Sequence, residues 1–513
     1  MKHALILCAF GVGFVSFAHA AIVESGDVIT NGTTTIYGTS GVGSLLVDDG
    51  SDLVTPGLVR FGESPLGNGT GLVTGVGSSI VVNGNINLGN GGTGLFTIAD
   101  GASGIANEFY IGQVAGSVGE LVVTGDGSML TGTGLNTGLG ANGKGTITVE
   151  DNASFVMFDQ VGNNPFLRTA QNAGGEATIN VRTGGLLDIT GTGNDVIHLG
   201  ERGKATLNIE SGGQMLAGRM RVAQLDGSTA DINISGAGST LDASFLFAAQ
   251  RANTTATIDI ENGGRLNVSD WLYVGQAGTG TMNISGNTSV VDVDIDFFVG
   301  GEVGGTSGNG SLLATDGATI IVGDDMYIGT DISTGVATLS DSGTTLSVND
   351  RLYVGWGFDG FPATGTLDVG RGAIVNIAES GTGLGLAIAG EDTATAIFTI
   401  GDDGTGNIAS GLIETGAFFF GNGSATLDLV VDSGITLNLG DMFTLIDYAT
   451  WDGDLFANVA DDAILIAGQY SFLIDYNDDL GSSDFALTAT VIPAPTTAAL
   501  LAFGGVIASR RRR

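Results

Sequence analysis

The sequence predicts an all-β fold, a right-handed parallel β-solenoid of about 15 coils with three short strands in each coil. Three observations lead to this prediction. A segment resembling Gly-Thr-Leu-x-Ile recurs every 24 to 32 residues. Short runs in which apolar residues alternate with Thr, Asn and Asp follow each copy. Finally, 89 of the 513 residues are glycine but only 6 are proline, a composition suited to short strands joined by tight turns.

The recurring segment is the first strand of each predicted coil. Its apolar side chains lie two residues apart, which places them on the same face of a strand. The clearest copies are 145–149, 205–209, 230–234, 256–260, 280–284 and 365–369. Because a single unit cannot bury such a face alone, we expect successive coils to stack and to share one apolar core.

Two further strands complete each coil. A turn at 262–264 leads to a second alternating run at 265–268, and a third run at 271–275 ends in glycine. Glycines at such corners supply positive φ angles at low cost. A β-propeller is the competing fold, but its blades need about 40 residues and four strands. The shorter period therefore favours the solenoid.

The pattern changes near residue 434, where longer alternating segments replace the repeat. An open solenoid end exposes unpaired strand edges, so we expect residues 434–491 to form a C-terminal β cap. The predicted organisation is a signal peptide at 1–20, solenoid repeats at 21–433, this cap, and a sorting tail at 492–513.

The N-terminus has the pattern of a secretory signal peptide. An apolar run at 4–17 precedes an A-x-A site, so we expect cleavage between Ala20 and Ala21. The one cysteine, Cys8, lies inside this peptide. Its removal excludes disulfides, thiol catalysis and cysteine-based metal sites in the mature chain. The sequence therefore predicts export across the inner membrane.

The C-terminal tail combines a short proline box, an apolar stretch at 496–509 and a terminal arginine cluster. The box and the cluster are Pro493, Ala494, Pro495, Arg510, Arg511, Arg512 and Arg513. The stretch is shorter than the roughly 20 residues that span a bilayer core comfortably, and arginines behind it would stay on the cytoplasmic side. We expect a hydrophobic tail helix that anchors the chain. A plain tail anchor and a helix packed on the protein are the alternatives.

This layout resembles the PEP-CTERM sorting tail of Gram-negative bacteria. The resemblance implies exosortase-type sorting machinery as a partner, membrane anchoring before processing, and a final place at the cell surface or outside the cell. Ala494 stands where the family has a glutamate. The coils resemble the glycine-rich repeats of autotransporter passengers and of large PEP-CTERM surface proteins, and residues 434–491 resemble the terminal β-unit that follows such repeats.

The chain is strongly acidic, with 54 Asp and Glu against 17 Lys and Arg and a formal net charge of −37. Such a body repels phosphate backbones, which excludes nucleic-acid binding. Divalent cations or cationic matrix components are the expected electrostatic partners. The simpler alternative is that the charge only keeps a glycine-rich surface soluble.

The best candidate for a cation site is a run of three aspartates, Asp292, Asp294 and Asp296. Strand alternation places their carboxylates on one face, about 6.5–7 Å apart. Oxygen ligands of this kind suit calcium. The alternative is an acidic strand that faces solvent, and no other cofactor is predicted.

Few side chains suit catalysis. Beyond the signal peptide the only histidine is His198, and strand alternation predicts that it points to solvent. Arg202, Lys204, Arg219 and Arg221 form the one basic cluster between the predicted signal peptide and the predicted tail. Aromatic residues in equivalent coil positions could stack sugars along a ladder, or could fill the corner between sheets. These residues are Trp271, Tyr273, Tyr327 and Tyr353.

These observations predict a non-enzymatic structural or adhesive protein of the cell surface or extracellular matrix. It would present an acidic solenoid to polysaccharide or to neighbouring cells. The alternative function is a polysaccharide lyase or hydrolase on a β-helix scaffold, for which the basic cluster would supply the cationic side chains.

Overall fold

The structure is a computed structural model. It describes residues 21–134, 136–157, 166–190, 196–303, 305, 307–358, 361–377, 385–390, 392–479 and 485–494, and of 477–479 the backbone only. Every regular element in these ranges is a β-strand. None of the described segments is therefore a helix long and apolar enough to cross a membrane. The expected signal peptide, the expected tail helix at 496–509, Ala20, Pro495 and the arginine cluster lie outside the described residues.

The prediction of a β-solenoid built from stacked parallel strands is confirmed. The first strands of successive coils pair in parallel and in register, so that Leu207 lies between Ile179 and Ile232. The first strands are Val42–Asp48, Asn68–Thr74, Thr93–Ala99, Val118–Thr124, Lys144–Glu150, Glu176–Arg182, Lys204–Glu210, Thr229–Ser235, Thr255–Glu261, Thr279–Ser285, Asn309–Thr315, Thr334–Leu339, Thr364–Val369, Thr393–Asp402 and Ser424–Val431.

The second and third strands of the coils form two further parallel stacks. The second strands are Asp52–Thr55, Ser79–Val82, Ser103–Ala106, Met129–Gly132, Ser154–Met157, Leu186–Ile189, Arg265–Val268, Val290–Val293, Thr319–Val322, Thr345–Val348 and Ile374–Ile377. The third strands are Thr34–Tyr37, Val59–Phe61, Ile86–Leu88, Phe109–Ile111, Asn136–Leu139, Phe166–Thr169, Val196–Leu199, Leu272–Val274, Phe297–Val299, Met326–Thr330, Arg351–Trp356 and Gly385–Ile388.

In three coils the second and third strands are continuous. These long strands are Gln214–Val222, Thr240–Ala248 and Leu412–Phe420. Each pairs with a second strand through its first half and with a third strand through its second half. The two stacks therefore join into one sheet of 31 strands, opposite a sheet of 17 strands that contains the first strands.

The core is the column of apolar side chains inside the coils. In the strand Lys204–Glu210, Ala205, Leu207 and Ile209 are fully buried, whereas the residues between them are partly exposed. The same alternation recurs along the stack and gives one continuous cluster of buried residues. Burying each Leu, Ile or Val side chain stabilises the fold by about 1.5–3 kcal/mol.

Polar side chains stack outside this core. Ser239 is fully buried in the turn before its second strand, and its hydroxyl oxygen accepts a hydrogen bond from the N–H of Gly212, one coil earlier, at 3.0 Å. The hydroxyl oxygen of Ser289 likewise accepts a hydrogen bond from the N–H of Gly263 at 3.1 Å. These contacts satisfy backbone donors that the turn leaves unpaired, and they tie adjacent coils together at a corner.

The corner after each third strand needs a positive φ angle. Gly62 occupies one such corner with φ of 71°, and a Cβ atom there would lie 2.1 Å from the carbonyl oxygen of Thr93 in the next coil. Ala223 and Ala249 occupy the same corner in other coils, with φ of 52° and 54°. The expectation of positive φ at the corners is confirmed, although alanine also serves there.

The expected number of about 15 coils is wrong, since the solenoid has about 13 turns. The count from sequence includes the copies at Ser44–Val47 and 425–429. The strand that contains the first of these is covered on its outer side by the antiparallel strand Ala21–Gly26. The strand that contains the second is followed by the C-terminal segment, not by another coil. Both copies carry the repeat pattern but lie at the ends of the stack.

Each end of the stack is covered by antiparallel strands. At the N-terminal end Ala21–Gly26 pairs with the first coil, and Val28–Asn31 forms a hairpin with Thr34–Tyr37. The sequence analysis did not predict this cover. At the other end Met442–Trp451 continues the stack in parallel, and Ala463–Ala467, Tyr470–Asp479 and Phe485–Ile492 follow as an antiparallel set. A short hairpin strand, Ile408–Ala409, pairs with the end of Thr393–Asp402.

We expect Leu207→Ala to lower the free energy of unfolding by about 2–5 kcal/mol, because it leaves a cavity between three successive coils. Thr206→Ala is the matched control on the opposite face of the same strand, and its effect should stay within about 0.5 kcal/mol. Chemical denaturation followed by circular dichroism measures both. Similar losses in the two variants would contradict a core inside the coils.

Candidate functional site

The outer faces of the third strands carry the most distinctive side chains of the solenoid. Parallel register places one residue per coil in a line, here named the outer column. Its members, from the N-terminal side, are Arg168, His198, Arg221, Phe247, Tyr273, Phe298, Tyr327 and Tyr353. The residues on either side of each member point into the core, so the column lies on the outside of the coils.

The aromatic members of the outer column stack face to face. The ring centroids of Tyr273 and Phe298 are 4.4 Å apart and their planes differ by 5°. The next pairs, Phe298 with Tyr327 and Tyr327 with Tyr353, are 4.6 and 4.8 Å apart. Offset or edge-on arrangements are usually preferred, but strand spacing of about 4.8 Å holds in-register rings in this geometry.

The stacked rings form a second, external core. Tyr273 is 7% exposed and Phe298 is 4% exposed, and with Tyr327, Tyr353 and Ala387 they make a cluster separate from the main one. Their faces are covered by one another. Of the two interpretations offered for the tyrosines, sugar stacking on their faces is therefore disfavoured. Trp271 differs from them, because it lies in the neighbouring line of residues and is 40% exposed.

His198 was expected to point to solvent, but it is nearly buried. It is only 8% exposed, because the ring of Phe166 packs edge-on against it at 5.6 Å. Its Nδ1 lies 3.8 Å from Glu201 Oε2. Arg168 donates two hydrogen bonds to the same carboxylate, at 2.8 and 2.6 Å. Alternation placed His198 on the correct face, but neighbouring coils cover it.

A ladder of aspartates lies at the corner between the second and third strands. Asp296 Oδ1 accepts a hydrogen bond from the N–H of Asp325 at 3.3 Å, and Asp325 Oδ1 accepts one from the N–H of Arg351 at 3.1 Å. Burial raises the pKa of Asp296 to about 6; the hydrogen bond opposes this, and the charges of Asp325 and Asp324 add to it. The ionised carboxylate of Asp296 therefore lowers the stability of the folded chain near neutral pH.

The three predicted cation ligands have different surroundings. Asp292 forms an ion pair with Arg265 at 2.5 Å, Asp294 is exposed, and both line a cavity of about 430 Å³. Asp296 belongs to the corner ladder. The acidic group whose oxygens lie within 4.8 Å of one another in the described residues is instead Asp324, Asp325 and Asp350. A calcium site at the predicted residues stays a prediction.

The structure brings together only part of the predicted basic cluster. Arg219 and Arg221 are outward neighbours on Gln214–Val222, whereas Lys204 begins a first strand in register with Glu176. Arg251, from the corner of the next coil, is close enough to affect the titration of Arg221. Sequence reasoning missed Arg251, because the residue in register with Arg221 one coil later is Phe247 and Arg251 lies beyond it in the corner.

We expect Asp296→Asn to raise the melting temperature at pH 7.5, since the variant removes a charge that burial disfavours. The pKa of Asp296 is higher in the folded than in the unfolded chain, so the penalty is present above pH 6 and fades as the pH falls toward 4. The gain, on the order of 1 kcal/mol after solvent screening, should therefore shrink at pH 5. Thermal melts at both pH values measure it. The exposed Asp294→Asn is the control, and an equal gain for Asp294→Asn would contradict the assignment.

The comparisons with known proteins identify no relative of this chain. No protein-family model matches it, and no curated protein matches its sequence. What its outer faces do must therefore be argued from their own geometry. That geometry consists of a closed aromatic stack, an acidic corner ladder and a group of arginines beside an exposed tryptophan.

Proposed function

We propose that the chain is a non-enzymatic structural or adhesive protein of the cell surface or extracellular matrix. The observation that carries the proposal is the solenoid itself, whose continuous core runs through every described coil. A coil contacts chiefly its two neighbours, so length and rigidity come from repetition and not from a closed globule. About 13 turns at roughly 4.8 Å each give a spine of about 60 Å.

The proposed signal peptide and the proposed tail adjoin opposite ends of the folded body. Ala21, the first residue after the proposed cleavage site, begins the strand that covers the N-terminal end of the stack. The last strand, Phe485–Ile492, ends directly before Pro493. The proposed tail thus leaves from the end opposite to the N-terminus. A tail held in the membrane would let the coils project away from it.

The charge of the body suits a long rod that must stay soluble. Without Lys2 and the terminal arginines, 12 basic side chains remain against 54 acidic ones. Net charge of this size keeps a long rod soluble and separates neighbouring copies. The one histidine of the exported body is packed against the ring of Phe166, and its Nδ1 lies 3.8 Å from a carboxylate oxygen of Glu201. Its 8% exposure keeps it from an external substrate, which favours a structural role for it.

We expect deletion of residues 493–513 to move the protein from the membrane fraction to the soluble periplasm or the medium. The tail is the segment through which the proposed sorting acts, whereas the folded body ends before it. Cell fractionation with immunoblotting against the body measures this distribution. The matched control is Ala494→Glu, which restores the residue typical of the family and should leave sorting intact or make processing faster. An unchanged membrane fraction after the deletion would refute the proposed tail function.

A further inference from the structure

Three arginines of adjacent coils lie together without the carboxylate partners that five other described arginines have; the exposed Arg202 also has no ion pair with a described carboxylate. Five arginines form ion pairs with carboxylates: Arg60, Arg168, Arg182, Arg265 and Arg371. In contrast, Arg219, Arg221 and Arg251, here named the arginine patch, have no carboxylate within 4.0 Å among the described residues. In a chain with 54 acidic side chains this grouping is unexpected.

Among the residues that the structure describes, no carboxylate within 4.0 Å compensates the charges of the arginine patch. Burial lowers the pKa of Arg221, and the nearby charges of Arg219 and Arg251 lower it further. The Nε atoms of Arg219 and Arg221 are buried and have no hydrogen-bond partner. Guanidinium groups present fixed forks of donors that match a carboxylate in a bidentate way. The buried Nε atoms are closed to a ligand, so an anion from outside the chain could meet only the terminal nitrogens of the partly exposed Arg219 and Arg221 and the exposed Arg251.

Aromatic rings adjoin the arginine patch on its C-terminal side. The guanidinium of Arg219 lies over the ring of Phe245, 4.8 Å from its centroid, which fixes its plane. Trp271 packs edge-on against Phe245 at 5.7 Å and remains 40% exposed. An exposed indole that shares the ring of Phe245 with the Arg219 guanidinium suits a ligand that has an apolar ring face next to a negative charge. A sugar ring that carries a carboxylate has both.

A groove of about 580 Å³ continues from the arginine patch along the corner of the coils. Its lining includes Gln250, Arg251 and Gln276, whose polar groups suit sugar hydroxyls. It also includes the carboxylate of Glu302, which accepts a hydrogen bond from Gln276. The Glu302 end of the groove therefore suits a neutral sugar, and the arginine end suits a carboxylated one. The groove runs across successive coils, whose rise of about 4.8 Å is close to the length of one sugar unit. A chain-like ligand could therefore meet equivalent positions in consecutive coils.

We propose that the arginine patch, with Trp271 and the adjoining groove, binds an acidic polysaccharide in which carboxylated sugars alternate with neutral ones. The alternation matters, because a body this acidic repels densely charged polyanions. This ligand deepens the proposed adhesive function and depends on it for its role at the cell surface. Binding by the purified chain is independent of sorting, so a failure here would leave the fractionation result unaffected.

The test uses the full-length chain and a hyaluronan hexasaccharide, in which glucuronate alternates with N-acetylglucosamine. Tryptophan fluorescence should report saturable binding, because Trp271 borders the site. We expect Arg219→Gln with Arg221→Gln to weaken the dissociation constant at least tenfold. Arg251→Gln alone should also weaken binding measurably. Because Arg251 is exposed, this substitution should not disturb folding, so it tests the site even if the double variant misfolds. Arg182→Gln, which removes an arginine paired with Glu150 on a first strand, is the matched control and should bind normally.

Two further ligands test whether binding requires a carboxylate and whether it requires a chain of sugars. A hexamer of N-acetylglucosamine has no carboxylate and should bind at least tenfold more weakly to the unmodified chain. Glucuronate alone should bind far more weakly than the hexasaccharide, since it cannot follow the groove. The proposal is overturned if the hexasaccharide shows no saturable binding, if the neutral hexamer binds equally well, or if the double variant and Arg182→Gln lose the same affinity.

Discussion

Register between successive coils is the constraint on which the rest of this structure depends. Each strand pairs in parallel with the equivalent strand of the next coil, so a residue at a given position always meets its counterpart. Leu207 lies between Ile179 and Ile232 inside. Asn208 lies between Asn180 and Asn233 outside, and these amides are linked by hydrogen bonds of 2.9 and 2.8 Å. One geometric rule therefore builds the core, the polar ladders and the aromatic stack.

The regular part of this architecture could be predicted from the sequence, because the periods are local. Two-residue alternation gives the inward face, and the recurrence of 24 to 32 residues gives the stacking. The error in coil count arose at the ends, where Ser44–Val47 has the repeat pattern but an antiparallel neighbour. The alternation of apolar and polar residues within a strand does not reveal which strand pairs with it on either side. For the same reason the N-terminal cover was missed.

Side-chain environment was harder to predict than side-chain direction. His198, Tyr273 and Tyr327 face outward as alternation requires, yet each is nearly buried. Their burial comes from residues one coil away, about 25 positions distant in sequence, and depends on the size of those neighbours. Arg221 illustrates the opposite case: the charges near it are Arg219 and Arg251, and no described carboxylate lies within 4.0 Å of it. Aligning every coil in register and reading each outward position as a column would have revealed both the stack and the arginine patch.

The external aromatic stack makes the solenoid uneven along its axis. From Phe247 to Tyr353 two sets of contacts hold neighbouring coils together. Aliphatic side chains pack inside the coils, and aromatic rings stack on their outer face. Coils nearer the N-terminus, such as the one containing Phe109, are held mainly from within. We therefore expect the coils of the N-terminal half to unfold and to be cleaved by proteases first. Unfolding and cleavage should stop at the coils from Phe247 to Tyr353. A rod shortened in this way would lose its N-terminal coils while the coils from Phe247 onward stayed folded.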